Sequence, residues 1–198
     1  HRTTVLGLVG LFFIVGLGLT AFQYVNESKE TKAQEQYYSL EKTYFEKKGQ
    51  FEQAVRQEQQ KLTDKKEKKD KTPAKTDKPE APTLAKATGD LSKDYGTIQD
   101  QLKEVIAKNP GTQGAAMSAL LLSDMYLEYN QASQALEILK SMKPQVGSMM
   151  ENLVTMQLGN VYAINNDCQN AISTWAQILQ KKQISYLHDE LKFRTAQC

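Results

Sequence analysis

The residues able to do chemistry are few. The 198-residue chain holds two His and two Cys, and one of the histidines is the first residue. His188 sits in SYLHDEL, next to Asp189 and Glu190. A general base needs a nucleophile within hydrogen-bond reach, and no Gly-x-Ser-x-Gly or comparable motif supplies one. The residues predict instead a histidine on an amphipathic helix, facing partly outward, and no catalytic residue. Gly111, Thr112, Gln113 and Gly114 are too short a run for a phosphate cradle and read as a turn between helices. Two thiols and one internal imidazole are too little for a zinc site, so neither a metal nor a cofactor is expected. The chemistry left to such a chain is binding.

The elements that would carry a binding surface divide the chain sharply. Apolar residues gather at the front and lysines in the middle. Thr3 to Tyr24 contains no charge, and twenty-two helical residues span about 33 Å, the thickness of a bilayer's hydrocarbon core. Tyr24 closes the run where an aromatic ring suits the headgroups. Leu19, Thr20 and Ala21 match a signal-peptidase site poorly, so residues 1–25 are expected to form a retained transmembrane anchor rather than a cleaved signal peptide or a core helix. Arg2 before the span places the N-terminus inside, and His1 in place of Met is taken to follow a cytoplasmic tail. Gly7, Gly10 and Gly18 fall near one helix face. They form either a contact face for another membrane helix or the ordinary glycine content of such helices.

Residues 26–60 have helical periodicity, with Tyr37, Leu40, Tyr44 and Phe45 before Lys47, Lys48 and Gly49, and Phe51, Ala54 and Val55 after them. A helical hairpin that opens the repeat domain is the expectation, with its turn at Gly49. Tyr37, Tyr38 and Tyr44 suit either a core or a peptide groove. Residues 61–93 hold ten basic and six acidic side chains. Within them Lys61 to Asp77 has almost nothing apolar, and prolines stand at Pro73, Pro79 and Pro82. Such a segment buries too little to offset its ordering entropy, so 61–93 is expected to be a disordered or loosely helical insertion. It is either a solvated spacer or a contact for anionic lipid or an acidic partner. Lacking interleaved aromatics, and with a whole-chain charge of only +2, it gives no ground for nucleic-acid binding.

From residue 94 onward the helical period returns and no strand pattern intervenes, so the part beyond the anchor is expected to be all-α. Ile98, Leu102, Val105 and Ile106 form one stripe closed by Asn109, Pro110 and Gly111. Helices are expected over 116–129, 133–142 (ended by Pro144), 153–164, 170–180 and 186–196. Two of the hairpins match. Leu122, Ser123, Tyr126, Ala135 and Leu139 recur as Leu158, Gly159, Tyr162, Ala171 and Trp175, every residue shifted by 36. This pattern resembles the tetratricopeptide repeat. Small residues stand where helices would cross closely, and large ones where they would fill gaps between hairpins. Trp175, the only Trp, is therefore expected to be buried. Met149, Met150 and Met156 suggest a soft apolar cluster, for core filling or for variable peptides.

The layout narrows the resemblance. A single N-terminal membrane helix, a Tyr-rich helix at 33–48, Gly114, Ala115 and Ala116 leading two degenerate repeats, and a short last helix are similar to the YfgM-type family. Residues 50–93 depart from it. The resemblance implies an inner-membrane protein whose tetratricopeptide-like solenoid (94–198 with a C-terminal capping helix) lies in the periplasm. It implies protein partners, the Sec translocon or a periplasmic chaperone, and a part in protein export or envelope quality control. The alternative is a fixed structural subunit of a larger envelope complex.

Two thiols complete the reading. Cys168 falls at the start of the helix at 170–180, and the last helix runs antiparallel to it. The two legs are nearly equal, which brings Cys198 back beside Cys168. In an oxidising compartment the pair is expected to join. Two unrelated free thiols are the alternative.

Overall fold

The computed structural model describes the backbone of residues 2–67, 85–142 and 149–198, with side chains described from residue 27 to 63 in the first of these stretches and throughout the other two. These residues form helices and no strand: α1 (Arg2–Glu67), α2 (Leu91–Lys108), α3 (Gln113–Glu128), α4 (Ala132–Ser141), α5 (Met149–Ile164), α6 (Cys168–Leu179), a 3₁₀ stretch (Lys182–Leu187) and α7 (His188–Gln197).

The hairpin expected over 26–60 does not form. α1 runs without a break through Lys47, Lys48 and Gly49 and continues to Glu67, beyond the expected start of the insertion. A lone Gly costs a helix only about 1 kcal/mol relative to Ala, and the Lys, Glu and Gln around it are good helix formers. The buried stripe also crosses the glycine without interruption: Ala33, Tyr37, Leu40, Tyr44, Phe51 and Ala54 all face the core. Most of the Lys-rich insertion (68–84) and Pro144 lie outside the described residues, as do the side-chain surroundings of Gly7, Gly10 and Gly18. The apolar run at 3–24 is the start of α1, where backbone alone is described. Among the described residues no helix is long and apolar enough to cross a membrane.

The remaining boundaries follow local chemistry. Asp90 caps α2 by accepting from the backbone N–H groups of Ser92 (3.0 Å) and Lys93 (3.4 Å). Thr112 caps α3 through the Ala115 N–H, and Asp167 caps α6 through the Asn170 N–H. At the other end of α3, Asn130 takes φ 58° and its N–H donates to the Leu127 carbonyl while Gln131 N–H donates to Tyr126. At the end of α5, Asn166 takes φ 60° with the same two bonds, to Ala163 and from Asp167 to Tyr162. The 36-residue shift therefore recurs in the backbone as well as in the side chains. The last helix differs from expectation: Tyr186 and Leu187 belong to the 3₁₀ stretch, which is broken at Ile184 (φ −119°, ψ 34°), and α7 starts at His188.

Packing arranges the helices in two layers. α3 lies between α1 and α5 and touches both, forming a front layer. α2, α4 and α6 each pack on front-layer helices and, among the described residues, not on one another. Two positions allow the closest approaches. A Cβ on Gly114 would lie 2.4 Å from the Ala33 carbonyl carbon of α1, and one on Gly159 would lie 2.2 Å from Nε1 of Trp175. The core has two parts. A large one runs from α1 to α5, and a small one comprises Ala171, Trp175, Ile178 and Leu191 in α6 and α7.

Candidate functional site

The front layer carries the most distinctive exposed chemistry. On α1, Tyr37 and Tyr44 are buried, whereas Tyr38 and Phe45 next to them are 54% and 56% exposed. Seven residues apart, the two exposed residues share a face two turns in length. Each packs edge-on against its buried neighbour, with ring centroids 5.3 Å apart for Tyr37 and Tyr38 and 5.1 Å for Tyr44 and Phe45. The buried rings thus hold the exposed ones in place. The stretch from 26 to 60 signalled aromatic content, but only the packing shows that Phe45 faces outward.

Carboxylates line the seam between α1 and α3. The Tyr37 hydroxyl donates to Glu41 in a short hydrogen bond. The Tyr44 hydroxyl donates to Oε2 of Glu128 at 2.9 Å, and Lys48 forms an ion pair with the same carboxylate. One turn before Glu128 on α3, Asp124 accepts from the Gln157 amide of α5 at 2.7 Å. Asn160, a turn further along α5, donates to Gln157 at 3.1 Å. Burial raises the Tyr37 and Tyr44 hydroxyls well above the ordinary phenol value, and their bonds to Glu41 and Glu128 add to this. Partial burial also pushes the Asp124 carboxyl up, with the Glu128 charge contributing and Lys48 opposing. The seam sets Glu41, Asp124 and Glu128, the last paired with Lys48, beside exposed aromatic rings.

A second polar cluster anchors the chain at the return of the Lys-rich stretch. Asp94, only 2% exposed, accepts from the Thr88 N–H and hydroxyl (2.9 Å each), the Gly89 N–H (3.1 Å) and the Tyr129 hydroxyl (2.8 Å). Burial alone would favour its neutral form, but these donors outweigh it and hold the carboxyl below its ordinary value. Tyr129 in turn packs edge-on against Tyr95, which touches Tyr44 and Phe51. Burial and nearby carboxylates push the Tyr95 hydroxyl up to about 12. Outside this cluster Lys86 pairs with Glu58 of α1. A cleft of about 390 Å³ opens between Phe51, Val55, Tyr95 and Tyr129. Nothing in the residue pattern marked Asp94 as buried, since an Asp in the first turn of a helix is ordinarily a solvated charge.

The residues of the matched hairpins lie where their types require. Leu122, Ser123, Tyr126, Ala135 and Leu139 are buried, as are Gly159, Ala171 and Trp175, while Leu158 and Tyr162 are partly buried. Trp175 is 1% exposed, and its Nε1–H donates to the Met156 carbonyl at 3.4 Å. Cys168 and Cys198 are joined in a disulfide, with Cα atoms 5.3 Å apart. The methionines do not come together: Met149 is exposed, Met150 packs on the large core and Met156 on the small one.

The remaining polar candidates tie the chain to itself. His188 Nε2 lies 3.2 Å from the Lys181 carbonyl, which accepts its hydrogen bond. The turn at Gly111–Gly114 leads into α3, whose first N–H groups, at Gln113 (2.9 Å) and Gly114 (3.2 Å), donate to the Glu30 carboxylate. Among the described residues no group of three or more His, Cys, Asp or Glu is placed to hold a metal ion. No family model, curated protein or solved structure matches the chain, so what it does has to be argued from these residues.

Proposed function

We propose that the protein is a membrane-anchored scaffold that binds other proteins through the front layer of a tetratricopeptide-like solenoid. The observation that carries the reading is the recurrence at a 36-residue shift, in side chains and in turn hydrogen bonds, of one helical hairpin. Hairpins that repeat and stack bury a continuous core and leave an extended surface for peptide. In such a solenoid the front layer, where α3 touches both α1 and α5 while α2, α4 and α6 do not touch one another, would line the inside of the curve, and it holds Tyr38, Phe45 and the carboxylate seam. The apolar run at 3–24 supplies the anchor, with the rest of the chain outside the cytoplasm of a bacterial inner membrane. The Cys168–Cys198 disulfide suits that oxidising side. The role is binding rather than catalysis, in Sec-dependent export or envelope quality control, with translocon or chaperone proteins as partners.

A fixed structural subunit is the second reading. Tyr186 and Phe193, 67% and 60% exposed at the C-terminal end where a capping helix would be polar, favour it. Crosslinking in native membranes followed by mass spectrometry separates the two. A scaffold yields many substoichiometric clients, and one partner at a fixed ratio overturns that reading in favour of the subunit. Protease added to spheroplasts should degrade the chain beyond residue 26, and full protection would contradict the anchored topology.

A further inference from the structure

We infer that the front layer selects a partner segment that sets Lys or Arg beside apolar side chains, a basic amphipathic stretch of another protein. The inference rests on the front layer being the binding surface. Its ground is the charge left unmatched there. Lys42 pairs with Glu46, Lys48 with Glu128 and Arg56 with Glu52, and Lys47 turns away over the Phe51 and Tyr95 rings. Glu41 and Asp124 are served only by neutral donors, the Tyr37 hydroxyl and the Gln157 amide.

The placement of the rings follows from helix geometry. α2 faces α1 across a cleft lined by Gln36, Leu40 and Thr43 and touches it through Tyr95 against Tyr44 and Phe51, and α3 meets it along Ala33, Glu30, Tyr44 and Lys48. At 100° per residue, Tyr38 and Phe45 lie on the side of the α3 contact away from α2, next to the carboxylate seam. An incoming guanidinium or ammonium would sit over a Tyr38 or Phe45 ring and beside Glu41 or Asp124 at once. The partner's apolar groups would cover the rest of the rings. An acidic segment would instead bring a further like charge to a surface where Asp124 already feels Glu128.

Fluorescence anisotropy of the full chain in zwitterionic nanodiscs, with empty discs as blank, tests this. The probes are two labelled twelve-residue peptides, one alternating Lys with Leu and one alternating Glu with Leu. The Lys peptide should bind at least about ten-fold tighter, and more weakly as salt rises. Glu41→Gln with Asp124→Asn should remove most of that preference, and Tyr38→Ala with Phe45→Ala should weaken the Lys peptide about ten-fold while the melting curve is kept. Equal binding of both peptides, or preference for the Glu peptide, overturns the charge assignment and leaves the binding surface in place. Binding that neither double variant changes overturns the front layer itself. Self-association of the chain that Tyr38→Ala abolishes would assign the face to a second copy and overturn a foreign partner.

Discussion

The two cores of this protein are held by different means. Among the described residues the larger core joins nineteen buried apolar residues from α1 to α5, and the smaller joins four, around Trp175. The larger one has no covalent link. The smaller one is closed by the Cys168–Cys198 disulfide, which fastens the far end of α7, a helix that buries only Leu191. A core too small to hold its last helix by burial alone needs a staple. Stability in this chain is therefore regional, with burial securing the front layer and a covalent loop securing its end.

The largest effect should come from emptying the small core. Trp175→Ala is expected to cost about 3–5 kcal/mol, with amide protection lost in α6 and α7 before α1–α4. An unchanged denaturation midpoint would mean that the ring carries no packing. Opening the disulfide, by reduction or by Cys198→Ser, should cost about 3–4 kcal/mol for a closed loop of thirty residues. Trp175 fluorescence should shift to the red as α7 loosens, while the large core stays protected. Protection lost equally in α1–α4 would join the two regions into one cooperative unit.

Two glycines give a smaller contrast of opposite sign. Gly159→Ala pushes a methyl into the Trp175 ring and should cost about 1–3 kcal/mol. Gly49→Ala meets open space on an uninterrupted helix and should stabilise by about 0.5–1 kcal/mol. Thermal melts of both variants decide this, and a stabilising Gly159→Ala would show that α5 and α6 are not in close contact there.

Alkali should act on the other region. Tyr44, Tyr95 and Tyr129 of the large core have hydroxyls raised in the fold above their unfolded value. Their contribution is complete below pH 10 and declines as pH rises through the folded values, about 12 for Tyr95. α1–α3 should accordingly open first in alkali, as reduction opens α7 first. At low pH the sign reverses. Asp94, lowered in the fold, contributes above its unfolded value and loses that contribution as pH falls through the folded one. Asp94→Asn should flatten the acid limb of the stability curve, and an acid limb identical to that of the parent would remove Asp94 from the account.

What the residues revealed in advance was whatever repeats or pairs within a short span. The 36-residue shift located Trp175 in a core, and near-equal helical legs brought Cys198 to Cys168. Gly49 misled because a turn signal competes with the burial on both sides of it, and burial along Tyr44, Phe51 and Ala54 won. Asp94 and Phe45 were not legible at all. The burial of one and the exposure of the other depend on partners about thirty-five residues away or in another helix. Only the assembled fold brings Thr88, Gly89 and Tyr129 to one carboxylate.

The claim on which the rest depends is that the front layer meets other proteins and the back layer does not. A photoreactive amino acid placed at Phe45, and in a second variant at the exposed Glu137 of α4, tests it in native membranes. The account predicts protein adducts at Phe45 that an excess of Lys–Leu peptide suppresses, and few at Glu137. Adducts of equal yield at the two positions, or at Glu137 alone, would contradict it.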